Sequence, residues 1–381
     1  MIRVTFVSPE PTPYRSPLLD RVGLSDEIDL TVVYAARTVA RRTWKVEPLH
    51  RAVFLDGLKV PGLRDVFRHD YPITPGIWRA LREAKPDCVV VSGWSTFAAQ
   101  AAIGWCRARG VPYVLLVESH DEGPKPGWRR RVKHAVVPTV VRGAASLLVT
   151  GSLARDSVLA LGGKPDRVRV FANTVDVRRY EEQADRLSPR RAELRDELGL
   201  AADDVAVLTV ARLAPEKAID VLLRAVAQSG DRRLAAVVVG EGPERNRLEA
   251  LRAELEVRAT FTGGRPWESV VEAYAASDVF ALVSKHEPWG VVVNEAAACG
   301  LPLVLSDRVG AARDLLRDGE NGLLVPAGDV AAAADALRRL ARDRDLRLRM
   351  GRRSRELVEG FGYGPSVDNL LAAVHEATAA R

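Results

Sequence analysis

The chain is short of the residues that mark redox, metal-binding or secreted proteins. Its 381 residues include three cysteines, Cys88, Cys106 and Cys299, odd in number, far apart and each inside an apolar run. That pattern argues against a disulfide framework or a zinc cluster and reads as buried, reduced thiols in a cytoplasmic protein. The longest apolar region, Ala135 to Ala154, is broken by Pro138 and Arg142, so no membrane span is expected. The start, MIRVTFVSPE, reads as a strand and lacks the basic head and apolar centre of a signal peptide. No basic stripe interleaved with aromatics appears, which argues against nucleic acid as a partner. A complete glycine fingerprint early in a domain is also missing, which argues against a nicotinamide dehydrogenase. Lysine is scarce, with eight residues among 56 basic ones, so Lys217 stands out.

What remains is an ordinary globular composition, 47% apolar and 28% charged, at a length that suits two domains. Short β-branched runs alternate with amphipathic helical stretches, the pattern of parallel α/β sheets. Strands are expected near Val4–Val7, Leu30–Tyr34, Cys88–Val91, Tyr113–Val117 and Leu147–Thr150. A second set falls near Val205–Val210, Ala235–Val239, Thr260–Thr262, Val279–Val283 and Pro302–Leu305. Ser16-Pro17 reads as a helix cap followed by proline at the first helical position. The boundaries predicted are a first domain over 1–180, a polar linker over 181–195, a second domain over 196–362 and a final helix over 363–381. Charge is unevenly shared: residues 1–180 carry 28 basic and 17 acidic side chains, and residues 181–381 carry 28 and 33. The front half is therefore expected to meet an acidic partner or anionic surface. Within it, Lys125–Arg142 holds six basic residues and no acid. It reads as a patch for anionic lipid at the inner face of the membrane, as a surface for an acidic acceptor, or as a solvated helix.

The most informative stretch is KHEPWGVVVNEAAACGLPLVLSD, from Lys285 to Asp307. Pro288 keeps Glu287 out of helical geometry. Gly290 allows close approach to the backbone, and a helix is expected from Val291 to Cys299 with Gly300 as its stop. The N–H groups at its start form a cradle for phosphate or sugar oxygens. Glu287 sits at the mouth of that cradle and Glu295 about one turn inside the helix. Two acids beside an anion site suit the gripping of polyol hydroxyls. Upstream, Arg212 and Lys217 follow a strong strand, with Pro215 keeping the segment between them out of helix. A guanidinium and an ammonium there would neutralise a diphosphate leaving group without a metal. Plain surface charges at a loop, and a solvated helix position for Glu295, are the competing readings. Gly240 and Gly242 form a GxG after a strand, but Arg245 occupies the third fingerprint position, so a tight turn explains them better than a dinucleotide site. Asp343-Arg-Asp345 resembles a metal motif, yet it lies in a charged helix where a solvated face is the better reading.

Together these stretches resemble the retaining glycosyltransferases of the GT-B fold, family 4. The acidic pair Glu287 and Glu295 looks like the family's Glu-x7-Glu, and ARLAPEK (Ala211 to Lys217) looks like its Arg-x4-Lys clamp. VVVGEGPERNRL, ATFTGGRP and NGLLVPAGD follow in family-like order, so the resemblance covers most of residues 200–330. It implies two Rossmann-like parallel-sheet domains facing a cleft, with the final helix crossing back to the N-terminal domain near Phe361–Pro365. It also implies a nucleotide-diphosphate sugar donor, UDP favoured over GDP, a hydroxyl acceptor and no metal or other cofactor. His120, Arg212, Lys217 and Glu287 would be catalytic, with Glu118 an alternative to His120. Glu295 would take the ribose hydroxyls. Gly240, Gly242, Phe261, Gly263, Gly264, Arg265, Gly290, Val291 and Val292 would frame the donor, the valines through their backbones. One departure stands out. Where the family has a Gly-Gly loop after the first strand, this chain has PEPTPYRSP, and proline removes N–H donors. Tyr14 and Arg15 are the residues there expected to reach the acceptor instead. A sugar-nucleotide epimerase or hydrolase of the same fold, and a non-catalytic sugar-nucleotide-binding protein, are the alternative functions.

Overall fold

Two parallel sheets carry the chain in a computed structural model that describes residues 1–37, 46–58, 71–118 and 136–379. His120 and most of Lys125–Arg142 lie outside the described residues. Met1–Asn173 and Tyr363–Arg381 form one unit, and Thr174–Gly362 forms the other.

The first unit holds β1 (Ile2–Ser8), β2 (Ile28–Tyr34), β3 (Ala52–Phe54), β4 (Cys88–Ser92), β5 (Tyr113–Val117), β6 (Ser146–Val149) and β7 (Val168–Val170). Their spatial order is β3-β2-β1-β4-β5-β6-β7, all neighbours parallel. Central strands buried on both faces read as continuous apolar runs, and Cys88 through Val91 are all 0% exposed. Alternate side chains feed two cores. Val89, Val91 and Leu115 face one way, while Phe6, Val90, Val114 and Leu116 face the other. The helix Tyr363–Ala379 adds Leu370, Ala373 and Val374 to the second core, so the chain's end completes the unit that its beginning starts.

The second unit holds β8 (Val205–Val210), β9 (Leu234–Val239), β10 (Ala259–Gly263), β11 (Val279–Leu282), β12 (Leu303–Ser306) and β13 (Gly322–Val325). Their order, β10-β9-β8-β11-β12-β13, reverses direction of travel between β8 and β11. This is the doubly wound arrangement, in which ligands bind beyond the carboxyl ends of the strands at the reversal.

Several expectations need correction. The polar stretch 181–195 is no linker: it belongs to the helices Val177–Leu187 and Arg191–Glu197 and a short turn between them. Tyr180, Ala184 and Leu194 are buried in the second unit's core, so the stretch's many charges are the outer faces of packed helices. Ser16 is not a cap either. The Arg15 N–H donates to Thr12 Oγ1 at 3.2 Å, and the helix Ser16–Val22 buries the Ser16 hydroxyl 3.5 Å from that of Tyr34. Asp343 caps the helix Arg344–Glu359 by accepting from the Leu346 N–H at 2.8 Å.

The cysteines are free and buried, and burial raises the Cys88 and Cys106 thiols to about 12. Among the described residues no helix is long and apolar enough to cross a membrane. No group of three or more His, Cys, Asp or Glu among them is placed to hold a metal.

Candidate functional site

The loops leaving β8 and β11 at the sheet's point of reversal carry the bases and acids singled out above. After β8 the chain is held against the exit of β9: Ala211 N–H donates to Val239 O at 3.0 Å and Leu213 N–H to Glu241 O at 2.8 Å. Leu213 is 0% exposed and anchors the loop. One 3-10 turn, Pro215–Lys217, then aims Lys217 before Ala218 takes a left-handed conformation (φ +51°) and the helix Ile219–Ser229 begins.

Gly240 and Gly242 are explained by this contact. A Cβ on Gly240 would sit 1.9 Å from Ala211 O, and one on Gly242 2.3 Å from Leu213 O. Both are needed to let the backbone carrying Arg212 lie flat on its neighbour. Their role in the structure is to support this loop.

The loop after β11 is clamped just as closely. Lys285 N–H donates to Glu216 O at 2.8 Å, Glu287 N–H to Arg308 O at 3.1 Å and Gly310 N–H to Glu287 O at 2.9 Å. Trp289, 5% exposed, donates its indole N–H to Asn294 Oδ1 at 3.1 Å, and Asn294 donates to Thr174 Oγ1 at 3.2 Å. Gly290 adopts φ +93°, a left-handed conformation that glycine takes without a steric cost. It opens the helix Val291–Ala298, whose first N–H groups have no partner within the helix. The side chains of Val291 and Val292 pack against the core, and Val292 O accepts from the Tyr274 hydroxyl at 3.3 Å.

These clamps bring Lys217 and Glu287 together. The Lys217 ammonium is bonded to Glu287 Oε2, with the two side chains 17% and 14% exposed. Arg212 is more open, 64% exposed, and bonds Glu216 Oε1 at 2.6 Å. The Glu216 carboxyl is held below its ordinary value, first by a backbone N–H of its own residue and also by Arg212. Glu295 lies one turn into its helix, half-buried. It accepts from the Tyr274 hydroxyl at 2.8 Å, and Tyr180 donates to it as well. Burial raises the Glu295 pKa, and the two tyrosines oppose that rise. A carboxylate has about four acceptor positions, so these bonds leave room for others.

The remaining donor candidates border β9 and β10. Phe261 is half-buried under Arg245, whose guanidinium carbon is 5.8 Å from the ring centre. Gly263 has φ +79°, and a Cβ there would meet Glu241 Oε1 at 2.8 Å. Gly264 N–H donates to the same oxygen at 3.3 Å, and Arg265 follows, half-buried.

In the first unit, the loop after β1 differs from expectation. Tyr14 is half-buried, but Arg15 is only 4% exposed and joins parts of its own unit. Its guanidinium bonds Ala172 O at 3.3 Å, Glu118 at 3.1 Å and Asn173, and lies 4.6 Å from the centre of the Phe171 ring. A proline-rich loop supplies few N–H donors, and this buried guanidinium fastens it instead.

Sequence reasoning missed the supporting residues: Glu216, Tyr180, Tyr274, Asn294 and the turn at Arg308–Gly310. None of them carried a signal: a spacing of four, as between Arg212 and Glu216, predicts a pair only on an α-helix, and here the segment runs into the 3-10 turn Pro215–Lys217.

Residues 190–357 match the family model described as glycosyl transferases group 1, and residues 4–174 match a glycosyl transferase 4-like domain. A D-inositol 3-phosphate glycosyltransferase of Nocardia farcinica is 36% identical over 66% of this chain; the match spans 56% of that protein. Its counterpart in Saccharomonospora viridis is 35% identical over 73% of this chain and 68% of its own length. A GDP-mannose-dependent alpha-mannosyltransferase of Mycobacterium tuberculosis is 33% identical, covering 77% and 74%. Among solved structures, Anabaena HepE in complex with UDP superposes with a TM-score of 0.76 at 19% identity, over 98% of this chain and 100% of that one. Sucrose-phosphate synthase from Thermosynechococcus elongatus gives 0.74 at 20% identity, over 99% of each.

Proposed function

This chain belongs to the group 1 glycosyltransferases, and from that membership we propose that it moves a hexose-type sugar from a nucleotide-diphosphate sugar to a hydroxyl acceptor, with retention of anomeric configuration. The observation that carries the reading is the pairing of Lys217 with Glu287 at the reversal of the second sheet. A cation and a carboxylate in contact there offer one group to a departing diphosphate and one to sugar hydroxyls. Arg212 and Lys217 stabilise the charge that develops on the leaving group, a task that preorganised donors perform without a metal. The N–H groups at Val291 and Val292 add the helix dipole to the same end. Glu295 takes ribose hydroxyls while Tyr274 and Tyr180 fix its orientation. The leaving diphosphate deprotonates the acceptor on the same face, so no protein nucleophile is required.

UDP is favoured as the carrier, since Anabaena HepE is described with UDP and UDP-glucose; GDP is the alternative named for the mycobacterial relative. A phosphorylated polyol, as named for the inositol-phosphate relatives, heads the acceptors to try. The enzyme is placed in the cytoplasm, with Lys125–Arg142 meeting anionic lipid at the inner face of the membrane. The test is turnover of UDP- and GDP-sugars with candidate acceptors in EDTA, read by mass spectrometry and by NMR of the new anomeric centre. A product with the donor's configuration, formed without metal, is expected. Inverted product refutes retention, loss of turnover restored only by manganese or magnesium refutes metal independence, and donor consumption without transfer leaves a hydrolase.

A further inference from the structure

A cavity of about 850 Å³ opens within the second unit. Its lining includes Arg233 just before β9, Asp278 just before β11 and Pro302 just before β12, the amino-terminal edge of the sheet. The donor residues follow the carboxyl ends of β8 and β11. The cavity lining nevertheless includes Tyr274 and Cys299, and the Tyr274 hydroxyl bonds Glu295 at 2.8 Å, so the two places share a wall. The volume is that of a small-molecule site.

The chemistry of its wall is cationic. Seven arginines and five aspartates line it; Asp231 and Glu181 outside the wall pair Arg233 and Arg355, and Arg258 pairs Asp204, which leaves an excess of one positive charge. The deepest carboxylate, Asp278, is already engaged by Arg191 at 2.8 Å, Arg195 at 3.0 Å and the Ala206 N–H at 2.9 Å. Asp185 is engaged by Arg355 at 2.7 Å. Arg342 and Arg344 make no ion pair among the described residues. Arg347 donates only to carbonyl oxygens, Leu340 at 2.6 Å and Ala341 at 3.2 Å. Burial lowers the Arg347 pKa, and repulsion from Arg233 and Arg344 adds to the effect against the pull of Asp278. Several guanidiniums thus share one half-enclosed space without a matching number of free carboxylates.

We propose that this cavity is a second anion site, built to bind a compact diphosphate group through Arg342, Arg344 and Arg347. Guanidiniums present paired N–H donors that match phosphate oxygens in two-point contacts. A diphosphate carries enough charge to offset the excess and is small enough for the volume. At Arg347 its oxygens would take the place of the carbonyl partners that now serve the guanidinium.

The test uses the full chain and inorganic pyrophosphate, read by titration calorimetry. Because Arg212 and Lys217 also attract diphosphate, the R212S/K217S variant isolates the cavity. That variant is expected to retain one pyrophosphate site. Adding R342S/R344S, which alters only exposed side chains, is expected to weaken the remaining site roughly tenfold or more, as loss of charge-assisted bonds requires. Circular dichroism and an unchanged melting temperature show that the fold survives. If R212S/K217S binds no pyrophosphate, or if R342S/R344S leaves its binding unchanged, the cavity is an internal ion-pair network and the proposal fails.

Discussion

Replacing Glu287 by glutamine should separate two effects that the Lys217–Glu287 contact combines. In the free protein the ammonium is already matched by a carboxylate. A diphosphate oxygen bonding another face of the same ammonium would lie about 5 Å from that carboxylate, two hydrogen-bond lengths at a tetrahedral angle. Like charges at that separation repel by about 1–3 kcal/mol across effective dielectrics from that of water down to about 20. With 14% of the Glu287 side chain exposed, water reaches the pair, so the lower half of that range applies. Glutamine keeps a carbonyl oxygen to orient Lys217 and removes the repulsion. UDP should therefore bind E287Q roughly tenfold more tightly, about 1.4 kcal/mol. Sugar transfer should fall by about two orders of magnitude, the usual cost of losing a preorganised electrostatic group. Calorimetry with UDP and initial rates with donor and acceptor read the two effects separately. Weaker or unchanged UDP binding by a folded E287Q protein would refute the idea that Lys217 faces the diphosphate while balanced by Glu287.

Arg212→Ala and Lys217→Ala should each lose about 2–4 kcal/mol of transition-state stabilisation in kcat/KM with circular dichroism unchanged; near-normal turnover of both removes the clamp. Gly242→Ala places a Cβ 2.3 Å from Leu213 O, and should cost about 1–3 kcal/mol of stability in a denaturant titration, as overpacking does. A neutral effect there would mean that the Arg212 loop is loose. Glu295 has a raised pKa because burial penalises its charge, so the native state holds that proton more tightly than the unfolded chain. Its contribution is greatest below the ordinary carboxyl range and declines as pH rises from there through the raised value. Melting temperatures from pH 4 to 8 should fall less steeply for E295Q than for the parent, and identical slopes would contradict the burial argument.

Ten of the thirteen strands among the described residues were legible; in nine both faces are buried or nearly so, which writes a continuous apolar run into the sequence, and the exception is β10, a half-buried edge strand. The three that were not, β3, β7 and β13, are edge strands of three or four residues with exposed positions such as Val53 and Leu324. A strand that pairs on one side need not announce itself. The helices at 177–197 were mistaken for a linker because a few inward residues, Tyr180, Ala184 and Leu194, anchor them while the rest of their surface is charged. In the candidate site, Arg212, Lys217, Glu287 and Glu295 could be singled out from their motif spacing. The side chains that aim them could not. Tyr274, Asn294 and Gly310 act through partners 21, 120 and 23 positions away, at Glu295, Thr174 and Glu287, and such distances leave no local pattern.

The helix Tyr363–Ala379 gives the first unit a peculiar order of birth. Its Leu370, Ala373 and Val374 are 0% exposed beside Phe6, Val90 and Leu116. Asn369 donates to Val170 O at 2.9 Å. During synthesis the amino-terminal half emerges first, yet the part of this sheet face that the helix Ser16–Val22 does not cover stays open until residues 363–379 appear. The second unit, continuous from Thr174 to Gly362, can finish before the first. A premature stop a few codons upstream of Tyr363 would therefore damage the part of the protein made earliest. Its nascent β4, β5 and β6 would wait with an open apolar face, the condition under which incomplete chains associate.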